Sequence, residues 1–282
     1  MRGWKVPLAL LVAVAAAIVA GSMLLRRPPE PEPEPARSPL PTRQALTRQV
    51  LFDELQPVPL SNCEVERFGE PRDGGYVMCA NLLGEVEAAY SYGIGGYDGW
   101  GCDISRRLDV PVHQYDCFNT DRPACPDGEP VFHEECVAGA PGVDEGRVFD
   151  TIERQIAANG DAGKSIVFKI DVEGAEWDSF LQTPASVFER IDQLAVEFHG
   201  VDEDRFVLAV WALKQHFHVA HVHFNNFSCS DGLEPFPAWA FEVLFVSKRL
   251  GVPAPPGTAT GFHALDAANN PENEDCQATA LR

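Results

Sequence analysis

The chain is poor in cations. Its 282 residues include 22 Lys or Arg against 42 Asp or Glu, for a formal net charge of −20, and no Lys/Arg-rich stripe occurs after residue 50. Nucleic-acid binding depends on neutralising phosphates with such cations, so the balance argues against that partner and for a small or neutral one. The cysteines form no CxxC pair and no Cys/His zinc spacing, so no metal site is expected. The glycine-rich stretch SYGIGGYDGWG (Ser91–Gly101) lacks the third glycine of a dinucleotide fingerprint, Asp98 standing in its place. That disfavours a nicotinamide oxidoreductase.

A long uncharged run is present at the N-terminus. Pro7 to Leu25, PLALLVAVAAAIVAGSMLL, is 19 residues without a charge, enough to span a bilayer as a helix. Two readings stay open: a single-pass signal anchor in residues 1–27, or a signal peptide cleaved near Val19-Ala20-Gly21. The run continues through Met23-Leu24-Leu25, which favours the anchor. Residues 28–45 open with PPEPEPEPARSPLP and read as a stiff spacer. Residues 46–250 read as the folded domain and 251–282 as a poorly ordered tail. The even count of eight cysteines suggests disulfides and a domain on the lumenal or extracytoplasmic side of the membrane, the cytosolic side staying open. Their pairing is left open.

Between residues 60 and 250, short apolar strands alternate with helical segments. ERFGEPRDGGYVMCANL predicts a hairpin turning at Asp73-Gly74-Gly75. AAYSYGI, VPVHQYD, PVFHEECVA, SIVFKID and IDQLAVEFH predict strands, RVFDTIERQIAANG an amphipathic helix, and DEDRFVLAVWALKQHF a helix capped by Asp202. AHVHFNNF and AFEVLFVSK have no helix between them and are expected to pair antiparallel. The pattern is α/β: a Rossmann-like, mostly parallel seven-stranded sheet closed by a C-terminal antiparallel hairpin.

In such sheets ligands collect beyond the carboxyl ends of the strands. Gly93 and Gly95 would let the backbone approach a ligand, and Asp98 could accept hydrogen bonds from an ammonium group. Asp116, ending VHQYD, lies where an acid takes both hydroxyls of a ribose. FKIDVEGAEW (Phe168–Trp177) places Asp171, Glu173 and Glu176 within six residues after a buried strand. The helix dipole accounts for Glu173 and Glu176 but not for Asp171. In EFHG, Glu197 and His199 end another strand, His199 being a candidate general base. His221 and His223 share a strand face, but no nearby acid or cysteine completes a metal site. Asn226-Phe227-Ser228 is a glycosylation sequon, expected unused if Asn225 and Asn226 face the cleft.

KIDVEGAEW resembles the KxDxEGxE signature of FkbM-type S-adenosylmethionine-dependent methyltransferases. With RFGEPRDGGYVMC, YSYGIGG, VHQYD, LAVEFHG and HVHFNN, the likeness extends over about residues 60 to 250, to a branch of methyltransferase-like proteins with hydrophobic N-termini. The resemblance implies a class I methyltransferase fold. It implies an S-adenosylmethionine pocket lined by Gly93, Gly95 and Asp116, with Asp171 and Glu173 between methyl donor and acceptor. Family loops often carry an acid before the first glycine; here Ser91-Tyr92 stands instead. The expected reaction is O-methylation of a sugar or other small hydroxyl-bearing acceptor, with Asp171 or His199 as base and Glu173, Glu197 and Asn225 orienting the acceptor. The competing reading is a non-catalytic, membrane-tethered binding or scaffold domain.

Overall fold

The computed structural model describes residues 40–259 and 262–276. The run Pro7–Leu25 lies outside the described residues. Among the described residues, no helix is long and apolar enough to cross a membrane; the expected N-terminal span does not fall among them.

The first described helix starts within the expected spacer. Helix α1 (Arg43–Glu54) is capped by Thr42, whose hydroxyl accepts from the Ala45 N–H at 3.2 Å. It is held by Arg48, 2.6 Å from Asp202, and by the Thr47 hydroxyl, which donates to Asp204 at 2.6 Å. Asp202 therefore serves that ion pair and not the expected cap. A hairpin follows, β1 (Val65–Gly69) against β2 (Gly75–Cys79).

Seven strands build the central sheet: β3 (Ala88–Tyr92), β4 (Val112–Tyr115), β5 (Val131–His133), β9 (Ile166–Asp171), β10 (Ile191–His199), β11 (Phe217–Phe224) and β12 (Ala240–Ser247). Their order is β11-β12-β10-β9-β3-β4-β5. The neighbours from β10 to β5 are parallel, and β12 runs antiparallel to both β10 and β11. The mostly parallel α/β architecture is thus as read from the sequence.

Alternation sorts each strand's residues onto two faces. On one face Phe168, Ile170, Val196, Phe198, Val243 and Phe245 pack under α1 and four further helices. These are α3 (Ile152–Ala158), α4 (Glu176–Gln182), α5 (Ala185–Phe188) and α6 (Asp204–His216). On the other face Val167, Ala195 and Leu244 pack under the β1–β2 hairpin and α2 (Gly99–Leu108) through Met78, Trp100 and Ile104. Lys169 and Asp171 follow Val167 on this second face, as Glu197 follows Ala195.

Two elements differ from expectation. PVFHEECVA breaks at Glu134: β5 closes the central sheet, while β6 (Glu135–Val137) joins β7 (Gly142–Asp144) and β8 (Arg147–Asp150) in a separate small sheet. β8 is the first part of the expected amphipathic helix. Val148, Ile152 and Ile156 do recur at helical spacing, but extended Thr151 caps α3, its hydroxyl accepting from the Arg154 N–H.

All eight cysteines are paired, as Cys63–Cys79, Cys102–Cys125, Cys117–Cys136 and Cys229–Cys276. The middle two overlap in sequence and lace down the segment between β4 and β5. The fourth fastens the C-terminus. In place of a poorly ordered tail, residues 262–276 pack onto the sheet: Phe262 and Asn269 are buried, and the Asn226 amide donates to the carbonyls of Asn270 (2.9 Å) and Asn273 (3.2 Å). The sequon asparagine is therefore closed off in the folded chain.

Candidate active site

A cavity of about 370 Å³ opens at the carboxyl ends of β3, β4 and β9. Gly93, Gly95 and Asp116 line it from one side, Asp171 and Glu173 from another, with Tyr115, Phe118, Val137 and Phe149 supplying apolar surface. Its size and its apolar lining with a few convergent polar groups suit a small organic ligand.

The glycine loop is held by contact. Gly93 has φ +71°, and a Cβ built there would lie 1.6 Å from the Asp171 carbonyl oxygen. Backbone cannot yield by that much. Gly93→Ala is therefore expected to cost several kcal/mol or prevent folding, read by chemical denaturation; wild-type stability would contradict the packing. A Cβ at Gly95 would meet nothing within 4 Å, so the loop there faces open space.

Asp116 joins two loops. One carboxylate oxygen accepts from the N–H groups of Ile94 (3.2 Å) and Gly95 (2.9 Å), the other from Phe118 (2.8 Å) and Asn119 (2.9 Å). A carboxylate offers about four acceptor positions, and these four donors occupy them. Asp116 thus lines the cavity as expected, yet its first task is to hold the glycine loop against the Cys117–Asn119 turn. Asp98 is a correction. It is absent from the cavity lining and caps α2, accepting from the Gly101 N–H and the Gln114 side-chain amide, both at 2.8 Å. A helix cap and a ligand anchor ask for the same carboxylate, and the sequence does not separate them.

The acids of the signature converge with others from neighbouring strands. Asp171 is paired in register with Glu197, Glu197 with Glu242, and Glu242 with His223, so one row of ionisable side chains crosses β9, β10, β12 and β11. Like charges directly opposite are destabilising, so the Asp171–Glu197–Glu242 part of this row carries a cost. Of its members, Asp171 lines the cavity. Burial raises the Asp171 carboxyl above its ordinary value, Lys169 and His199 draw it back, and Glu173 and Glu176 push it up again, leaving it raised. Burial, then the charges of Asp171 and Glu242, push Glu197 well upward. The Asn225 amide donates to Glu197 at 2.6 Å, so these two expected orienting residues do meet, behind Asp171.

His199 is the second correction. Its ring nitrogens face four carboxylates: Glu176 (3.3 Å) from Nδ1, and Glu173 (3.5 Å), Asp171 (3.8 Å) and Glu197 (3.8 Å) from Nε2. Burial alone would lower its pKa. The hydrogen bond and charge of Glu176, with the charges of Glu197 and Asp171, outweigh burial and raise it to about 9. The raised pKa favours the protonated ring, which suits His199 as counter-charge for the acids better than as the base.

Three residues went unassigned in the sequence. Lys169, buried, donates to the Gly93 carbonyl at 2.8 Å and lies 3.7 Å from Asp171. Its two-residue spacing from Asp171 on a strand was the available signal. Glu176 is fully buried; beyond its place at the start of α4 it accepts from the N–H groups of Gly174 and His199, both at 2.8 Å. The hydroxyl of buried Tyr76 has no hydrogen-bond partner. Burial, then the charges of Asp171, Glu197 and Glu242, push it well up, so it stays a donor. Trp177 locks the arrangement, its indole N–H donating to the His199 carbonyl at 2.7 Å and its ring stacking on Phe198 at 4.1 Å.

Comparison with protein-family models and with curated proteins finds no match for this chain.

Proposed function

We propose that the chain is an S-adenosylmethionine-dependent O-methyltransferase acting on a sugar or other small hydroxyl-bearing acceptor. The observation that carries this reading is the single cavity shared by Gly93, Gly95 and Asp116 on one side and Asp171 and Glu173 on the other. The strand order, with β12 alone reversed, agrees with the class I methyltransferase arrangement that the FKIDVEGAEW resemblance implies.

The residues present fit such a cofactor. The open space over Gly95 and the aromatic rings of Tyr115 and Phe118 suit a flat, partly polar molecule, and the acids suit a cationic one. When bound, S-adenosylmethionine would supply an activated methyl group on a sulfonium. Gly93, fixed by Lys169 and by the Asp171 carbonyl, sets the loop that receives it. The acceptor hydroxyl must lose its proton during attack. Asp171 takes that role: it faces the cavity, and its raised pKa makes it a better proton acceptor than an ordinary aspartate. The His199 imidazolium orients Asp171 and Glu173. Glu173, whose side chain is 82% exposed, receives the acceptor from solvent. A net charge of −20 disfavours anionic acceptors.

The pH dependence follows from these directions. Activity requires ionised Asp171 and protonated His199, so it rises with pH through the raised Asp171 value and falls again near pH 9 as His199 deprotonates. The same histidine contributes to stability. Its folded pKa exceeds its unfolded one, so the contribution is full below the ordinary histidine value and is lost as pH rises through about 9. A pH–rate profile in which Glu176→Gln leaves the alkaline limb unmoved would refute the coupling.

A second reading is a non-catalytic binding or scaffold domain, and the saturated acceptors of Asp116, which leave none free for a ribose, favour it. Transfer of labelled methyl groups from S-adenosylmethionine to a panel of glycosides and simple alcohols decides between them. Acceptor-dependent product supports the enzyme; cofactor binding with no product supports the module. In either case the four disulfides suit folding in an oxidising compartment.

A further inference from the structure

His221, on β11, has no acid near it in sequence; the fold supplies one. The short turn Phe262–Ala264 carries His263, and Asp266 follows it. His221 Nε2 lies 2.7 Å from one Asp266 oxygen, and His263 Nδ1 lies 3.1 Å from the other. One donor atom from each of the three residues lies within 4.8 Å of the others.

We propose that His221, His263 and Asp266 bind a divalent ion of the zinc class, which clasps the C-terminal segment to the outer strand of the sheet. Two imidazole nitrogens and a carboxylate oxygen are a zinc donor set, and with all three within 4.8 Å of one another they can close on one ion by small side-chain rotations. Both ligand-bearing segments are fixed by contacts that need no ion. The His221 ring stacks on Phe262 at 4.9 Å and 8°. The Arg67 guanidinium donates to the Leu265 carbonyl at 2.8 and 3.3 Å, setting the backbone next to Asp266. The His263 side chain is 75% exposed, which gives the ion an entry path and leaves a fourth position to water. Imidazole ligands discriminate against magnesium and calcium, which prefer all-oxygen sites. Without an ion, the Asp266 carboxylate accepts a hydrogen bond from each imidazole; on binding, each ligating nitrogen gives up its proton to the other nitrogen of the same ring, or to solvent if the ring is doubly protonated, and stays a neutral ligand. The site is independent of the methyltransferase reading.

The test uses the full chain with its disulfides intact, stripped by chelator and titrated with Co²⁺ alone, then with Zn²⁺. Calorimetry should show about one equivalent of Co²⁺ bound, with a visible d–d band of tetrahedral intensity that Zn²⁺ abolishes, and a rise in Tm with either ion. Binding, band and Tm shift should persist in Asp171→Asn and vanish in both His263→Ala and Asp266→Asn. His263 is largely exposed, so its variant is expected to fold, as circular dichroism would check. No binding by the wild-type chain, binding unchanged in both variants, loss in Asp171→Asn, or equal affinity for Mg²⁺ would each overturn the proposal.

Discussion

Asp171→Asn is expected to lower methyl transfer by at least about a hundredfold, the lower end of what a positioned proton acceptor contributes. The substitution keeps the side chain's shape and removes its ability to take a proton. It also removes one charge from the Asp171–Glu197–Glu242 row, where the like charges oppose one another. The ion pairs it gives up, to Lys169 at 3.7 Å and His199 at 3.8 Å, are long. Tm is therefore expected to stay level or rise while turnover collapses. Loss of turnover with loss of fold would mean that Asp171 acts as a structural group; near-normal turnover would remove it from the chemistry. Cofactor affinity is the control: losing one of the cavity's acids should weaken it far less than it weakens turnover, since Asp116 and Glu173 remain.

Asp116→Asn should have the opposite signature. The amide keeps one acceptor oxygen and turns an NH₂ group toward backbone N–H donors, so one of the two loops loses its anchor whichever way the side chain faces. Two charge-assisted hydrogen bonds, at roughly 1.5–3 kcal/mol each, set the scale: a loss of about 3 kcal/mol or more in denaturant stability. Cofactor affinity should fall in parallel, because the cavity wall itself comes apart. If stability is unchanged while binding is lost, Asp116 contacts the ligand directly and the four backbone bonds are incidental. If both are unchanged, the cavity is not where the cofactor binds.

These contrasting signatures show what the sequence could and could not carry. The sheet was legible because its strands are short apolar runs ending in glycine or acid, and because the two-residue alternation places Lys169, Asp171 and Glu197 on defined faces. Gly93, Gly95, Asp116, Asp171 and Glu173 line one cavity because strand ends in an open α/β sheet meet at one edge. Asp98 misled because a cap and a ligand anchor look alike in sequence. His199 misled because the carboxylates around its ring, buried Glu176 foremost, come from other parts of the chain. The C-terminal segment read as disordered because its Pro, Gly, Ala and Asn content has no periodicity. Its order comes from long-range ties: Cys229–Cys276 and the Asn269 amide, which donates to Glu242 at 2.7 Å. Composition does not encode such ties. Val148 misled for a local reason, the cap at Thr151 cutting a helical spacing in two.

The central claim is that the cavity beside Gly93 and Asp171 takes S-adenosylmethionine. Isothermal titration of the disulfide-intact chain with S-adenosylmethionine tests it most directly. A single saturable site is expected, retained in Asp171→Asn and strongly weakened in Asp116→Asn. An absence of binding heat at millimolar cofactor, with the chain folded, would contradict it.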